Sequence, residues 1–149
     1  MKTIVVGVDG SPGSQVAVEF AAREAAAHGA VLRLISAWEI PTAVLAGGGG
    51  VPTEVYDNFA AEARTRLEEA AGQVRAIAPA VTVEKKVVEG HAGNMLVEEA
   101  ETADLVVIGR RGHGALTEFL LGSISHQVAD HAKCAVVIVP RAGTSAGLS

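Results

Sequence analysis

The stretch TIVVGVDGSPGS, residues 3–14, reads as a buried strand that runs into a turn and then into a helix. Its first half, TIVVGV (3–8), is short, apolar and rich in β-branched residues, the pattern of a strand covered on both faces. The second half punctuates it. Pro12 suits the first turn of a helix, where a missing N–H leaves no bond unmade, and Ser11 before it can cap that turn. The helix then runs from about Ser14 to His28 and stops at Gly29.

The same rhythm continues down the chain. VLRLISAW (31–38) is a second strand, and EIPTAVLAGGGGVP (39–52) reads as a loop whose four consecutive glycines are too flexible to hold one shape alone. From Thr53 to Ile77 the residues Val55, Phe59, Ala63, Leu67, Ala70, Val74 and Ile77 recur every three or four positions, one apolar face of a long helix that Pro79 stops. Thr53, Glu54 and Asp57 suit the positive end of its dipole. VTVEKKVV (81–88) is a third strand, more polar and so placed nearer an edge. A helix follows over 92–102, then a buried fourth strand DLVVIG (104–109), a helix over 123–131 and a fifth strand AVVIV (135–139) closed by Pro140. The alternation predicts an α/β fold. Right-handed crossovers make it a single doubly wound parallel sheet with helices on both faces. One domain is expected over 1–141, with a disordered tail over 142–149.

Composition agrees. The chain has 149 residues, of which 49% are hydrophobic and only 3% aromatic, so the core must come from Val, Ile, Leu and Ala. The formal charge of −5 argues against non-specific nucleic-acid binding, since phosphate contacts need a basic face. No stretch is long enough to cross a bilayer. Cys134 is the sole cysteine and can form neither an internal disulfide nor a cysteine-based zinc cluster. A reducing, cytoplasmic setting fits. The five histidines form no metal pattern.

In doubly wound sheets a ligand sits beyond the C-terminal ends of the strands, where the strand order reverses. The loop there that looks made for one is GRRGHGALTEFLLGS (109–123). Gly109 can leave the strand with dihedrals closed to other residues. Gly112 can take a positive φ, so that successive N–H groups point into one anion-binding concavity. Gly122 lets a ligand approach the backbone, and Ser123 opens a helix whose free N–H groups, with the hydroxyls of Ser123 and Ser125, suit a phosphate. ALTEFLL (115–121) would form one or two helical turns acting as a lid. The loop is not a P-loop, because serine stands where lysine is needed. It is not a dinucleotide fingerprint either, because Thr117 takes the third glycine position. These glycines could also do no more than form tight turns. Asp9 could cap its turn or meet a ligand, and Arg110 and Arg111 could be solvated charges or offset phosphate.

Gly109-x2-Gly112-x9-Gly122-Ser123 resembles the ATP-binding signature of the universal stress proteins. The resemblance extends over residues 1–140: TIVVGVDGS, VLRLISAW, VVEGHAGNMLVEEAETADLVVIGRRGHG and GSISHQVADHAKCAVVIVP are similar to successive segments of that family, although Ala92 stands where many members have proline. It implies the strand order 3-2-1-4-5. It also implies nucleotide contacts at Asp9, Gly10, Ser11, Ala37, Gly109, Arg110, Gly112, Gly122, Ser123, Ile124 and Ser125. Asp9 would lie near the ribose and phosphates, with Mg as a candidate companion of the nucleotide, and the backbone of Ala37 would face the adenine edge. The fifth strand would pair with its twin in a homodimer. The functional expectation is therefore a cytoplasmic ATP-binding regulatory module of the stress response, with no dedicated catalytic group. A slow Mg-dependent ATPase and a nucleotide-free protein-interaction module are the competing readings.

Overall fold

The computed structural model describes residues 1–110 and 122–140. Five strands form one parallel sheet: β1 (Thr3–Gly7), β2 (Val31–Trp38), β3 (Val83–Glu89), β4 (Leu105–Gly109) and β5 (Ala135–Val139). The order is β3-β2-β1-β4-β5, so the chain winds outward from β1 to β3 and then returns to build β4 and β5 on the other side. β3 is an edge strand, as its polarity predicts.

Alternation along each strand makes two cores, since successive side chains leave a strand on opposite faces. Ile4 and Val6 of β1, Leu32 and Leu34 of β2 and Val107 of β4 pack against helices α1 (Pro12–His28) and α3 (Thr53–Ile77). Val5, Ile35, Val106 and Ile108 face the other way, against Leu96 of α4 (Ala92–Glu99) and Val128 of α5 (Ser123–His131). The helices contribute small residues where they press on the sheet: Ala17, Ala21, Ala22 and Ala25 of α1 are fully buried. Aromatic bulk is not needed at such short range.

The caps follow the sequence. Ser11 stands at the N-cap of α1 and accepts from the Ser14 N–H at 3.2 Å, Pro12 opens the helix, and Gly29 closes it in the left-handed conformation at φ 62°. α3 reaches the sheet only through its later turns. Its buried residues are Ala63, Leu67, Ala70, Ala71 and Val74, while Val55 and Phe59 are half-buried. Length explains this: 25 residues of helix run about 37 Å, whereas the eight residues of β2 run about 26 Å, so the first turns overhang the strand ends. There Tyr56 meets Trp38 edge-on, with centroids 6.2 Å apart.

Two segments depart from expectation. The 39–52 stretch holds a four-residue helix α2 (Thr42–Leu45) before its glycine run, in which Gly48, Gly49 and Gly50 all have positive φ. The helix expected over 92–102 ends at Glu99 and tightens into a 3₁₀ turn over Ala100–Thr102. The expected lid (115–121), Gly112 and the tail beyond 141 lie outside the described residues.

The strip of sheet over β2 and β3 that α4 leaves open is closed by charge. Glu99 accepts from Arg33 at 2.9 Å and from Lys86 at 2.6 Å, with its side chain 12% exposed, and Arg33 also bonds Glu84 at 3.1 Å. Burial works against ionising Glu99, but the hydrogen bonds and charges of Lys86 and Arg33 overcome it and hold its carboxyl below the usual glutamate value of 4.5. A lowered folded pKa means that the group stabilises the fold above its unfolded pKa and loses that contribution as pH falls through the folded one. Glu99→Gln is therefore expected to cost about 1–2 kcal/mol near neutrality. Chemical denaturation of both proteins across acidic pH checks this, and the gap should close as wild-type Glu99 protonates.

Candidate functional site

β1 ends at Gly7 and β4 at Gly109, and the connections leaving them diverge: α1 folds back over one face and α5 over the other, where α4 also packs. A cleft of about 320 Å³ opens at this reversal. Asp9, Ser11, Ala37, Gly109, Arg110, Gly122, Ser123, Ile124 and Ser125 all line it. Residues separated by more than a hundred positions in sequence thus meet at one place. Gly10 is not part of the lining; its φ of +80° forms the turn between Asp9 and Ser11.

The walls divide by chemistry. Ile35, Leu96 and Ile108 supply an apolar floor. The rim holds the starts of three helices, through Ser11 and Ser14 at α1, Ala92 at α4 and Gly122 to Ser125 at α5. The positive ends of three dipoles therefore converge on one space. At α5 the first intrahelical bond is from His126 N–H to the Gly122 carbonyl at 3.0 Å. The amides of Ser123, Ile124 and Ser125 precede it and have no intrahelical acceptor. Gly122 occupies the N-cap with extended backbone and brings no side chain to cover them. Such a terminus receives anions.

The polar side-chain atoms fall into two groups. Asp9 Oδ1 and the hydroxyls of Ser11, Ser14 and Ser125 build the cleft. Asp9 Oδ1 accepts from the Ser11 N–H at 2.9 Å and from the Ser11 hydroxyl at 2.5 Å. Ser11 is fully buried, with both its donors given to Asp9. Ser14 Oγ accepts from the Asp9 N–H at 3.2 Å and donates to the Gly7 carbonyl at 3.4 Å. Ser125 Oγ shares its proton between the carbonyls of Gly109 and Arg110, each at 3.0 Å, so this hydroxyl ties α5 to the end of β4 and only its amide is left for a ligand. The second group remains available. Asp9 is exposed, and its Oδ2 has no hydrogen-bond partner among the described residues. The Nε of Arg110 is buried without a partner among the described residues, while its N–H is fixed to the Val139 carbonyl at 2.9 Å.

The sheet ladder shows what Ala37 offers. The Val31 N–H donates to Lys2, and Ile35 accepts from the Val8 N–H at 2.8 Å, so odd residues of β2 address β1. The Leu32 N–H donates to Thr82, and Trp38 accepts from the Gly90 N–H at 2.8 Å, so even residues address β3. Ala37 is the next odd residue after β1 has left the ladder. Its N–H and C=O face the cleft as an adjacent donor and acceptor.

Gly109 has a different role from the one its loop position suggests. Its φ is not positive. A Cβ placed on it would lie 2.6 Å from the carbonyl oxygen of Gly13 and 2.7 Å from the carbonyl carbon. Gly109 lets the end of β4 touch the first turn of α1 at Gly13, a contact beside the cleft that sequence reasoning missed. Ile35 could have been found from Ala37 by the period of two along a strand.

Fold and crevice together define a doubly wound α/β domain with an anion-receptive cleft at its switch point. Residues 1–140 match the Universal stress protein family, and the chain belongs to it. It is 36% identical to the Universal stress protein in QAH/OAS sulfhydrylase 3'region of Thermus aquaticus, over 93% of this chain and 98% of that protein. It is 33% identical to Universal stress protein Rv2624c of Mycobacterium tuberculosis over 93% of this chain, but spans only 48% of that relative's length. Among solved structures, a universal stress protein in complex with cAMP is 31% identical and superposes with a TM-score of 0.73, over 95% of this chain and 98% of that one.

Proposed function

We propose that this domain binds an adenine nucleotide in the switch-point cleft and works as a nucleotide-responsive regulatory module. The observation that carries the reading is the backbone of Ala37. An N–H beside a C=O is complementary to adenine, whose N1 accepts and whose 6-amino group donates; guanine presents the opposite pair at those positions. Ile35, Leu96 and Ile108 supply an apolar floor for a purine. The free amides of Ser123, Ile124 and Ser125 supply the phosphate end, with Arg110 beside them. The cAMP complex of the 31% identical relative supports the same ligand class.

ATP is the nucleotide we favour, with Mg carried in on its phosphates. The donor set suits such an ion better than a protein-held one. Asp9 is the only carboxylate among the described lining residues, and no group of three or more His, Cys, Asp or Glu gathers anywhere among the described residues. Mg usually takes one or two carboxylates and fills its shell with phosphate and water. The described lining holds no histidine, and Asp9 Oδ1 is already taken, which favours binding over hydrolysis.

β5, an apolar edge strand, is where a second copy would pair antiparallel to form a homodimer, the surface through which occupancy could be read. A cytoplasmic setting is part of the same proposal; no helix among the described residues is long and apolar enough to cross a membrane.

Calorimetry with AMP, ATP and GMP tests the reading. Adenine nucleotides should bind at one site per chain, and GMP at least tenfold more weakly, since a mismatched base leaves buried polar groups unpaired. Absence of binding by any adenine nucleotide would refute it.

A further inference from the structure

We propose that Arg66 of α3 binds the terminal phosphates of a nucleoside triphosphate and thereby sets a preference for ATP over AMP; this rests on the adenine-nucleotide reading above. α3 packs on the sheet face opposite the apolar floor of the cleft. Even so, the side chain of Arg66 reaches the β1–α1 turn. Its Cγ and Cδ lie 3.4 Å, and its Nε 3.7 Å, from the point where a Cβ on Gly10 would stand. Gly10 has φ +80° and no side chain, so the turn leaves the arginine room to lie along it. The residues on either side of Gly10, Asp9 and Ser11, line the cleft. The guanidinium is thus held against the outer side of the turn whose inner side forms the rim.

Among the described residues little else engages this charge. The partner of Arg66 is Glu62, at 3.5 Å, with the glutamate side chain 64% exposed and the arginine 30%. A long, exposed i,i+4 pair contributes little and is readily exchanged. The cation among the described lining residues of the cleft is Arg110, which follows β4, whereas Arg66 lies outside that lining on the surface of α3. A monophosphate is accounted for by the amides of α5 and Arg110. The added phosphates of ATP bring further negative charge to the rim, and Arg66 lies against Gly10, the sequence neighbour of Asp9, with the opposite charge. A guanidinium donates to phosphate oxygens in a fork, which a lysine reproduces only as a point charge.

The test is calorimetric titration of the full chain, wild type, Arg66→Gln and Arg66→Lys, with ATP and AMP, alongside thermal unfolding of each. Arg66→Gln is expected to weaken ATP about ten- to a hundredfold, the size of one charge-assisted hydrogen bond, and to leave AMP within about twofold. Arg66→Lys should recover part of the ATP affinity, and it keeps the comparison available should the glutamine variant fold poorly. Equal loss for ATP and AMP, or no loss for either, overturns the role of Arg66 while leaving the cleft reading intact. A wild-type protein that binds neither nucleotide overturns both.

Discussion

Replacing Gly109 with alanine is expected to destabilise the domain by about 2–3 kcal/mol, the cost of forcing an added methyl group into a closed contact. For a domain of this size that lowers the unfolding midpoint by roughly 5–10 °C. The atoms met are backbone, the Gly13 carbonyl oxygen at 2.6 Å and its carbon at 2.7 Å, so no rotamer change relieves the clash. The first turn of α1 must move instead. That turn is held by Ser11 accepting from Ser14 and by Ser14 bonding Gly7, so the displacement reaches residues that line the cleft. Nucleotide affinity should fall with stability. Gly72→Ala is the contrast. Gly72 lies inside α3, and its added Cβ would meet nothing closer than Arg75 Nη2 at 3.6 Å. It should stabilise by about 0.5–1 kcal/mol through the lower entropy of the unfolded chain. Differential scanning calorimetry of the two variants checks both signs. A Gly109→Ala protein that melts with the wild type would contradict the contact.

Ala37→Pro is expected to abolish most adenine-nucleotide affinity, by more than about tenfold, while leaving the sheet assembled. Proline removes one donor and puts a ring carbon where the N–H hydrogen was. In a central strand this normally breaks a ladder bond. Here the last rung toward β1 is the Val8 N–H to Ile35, and β3 bonds the even-numbered residues, so the amide of Ala37 belongs to no rung. Ser36 before it is already extended within β2, the conformation a following proline requires. Circular dichroism should show a folded protein and calorimetry a weak one. Undiminished AMP binding by a folded Ala37→Pro variant would show that the base is not read there.

Most of the layer architecture was legible in sequence. β-branched runs marked β2 and β5, the three-to-four-residue apolar period marked α3 and the Gly-Ser junction marked the start of α5, all at the bounds the structure shows, because strand and helix each declare their period and their stops locally. The strand order came from family resemblance, since alternation alone does not say which strands are neighbours. α2 was hidden by the glycine run that follows it, which outweighed four ordinary helix-forming residues. In the site, the starts of α1 and α5 were visible as Ser-Pro and Gly-Ser junctions. The role of Gly109 was not, because it depends on Gly13, far away in sequence and brought alongside only by the packing of α1. Nor does sequence show that the Ser125 hydroxyl points back at β4; a serine in a first helical turn reads the same whether it faces ligand or protein. Gly112 and the expected lid lie outside the described residues, so the phosphate end we propose rests on Arg110 and the start of α5.

The most direct test of the central claim is amide NMR of the ¹⁵N-labelled chain during titration with AMP. Base reading by β2 and phosphate capture by α5 predict that the largest shifts appear together at Ala37 and at Ser123, Ile124 and Ser125, saturating along one binding curve. Shifts confined to other surfaces, or an unchanged spectrum at millimolar AMP, would contradict the account.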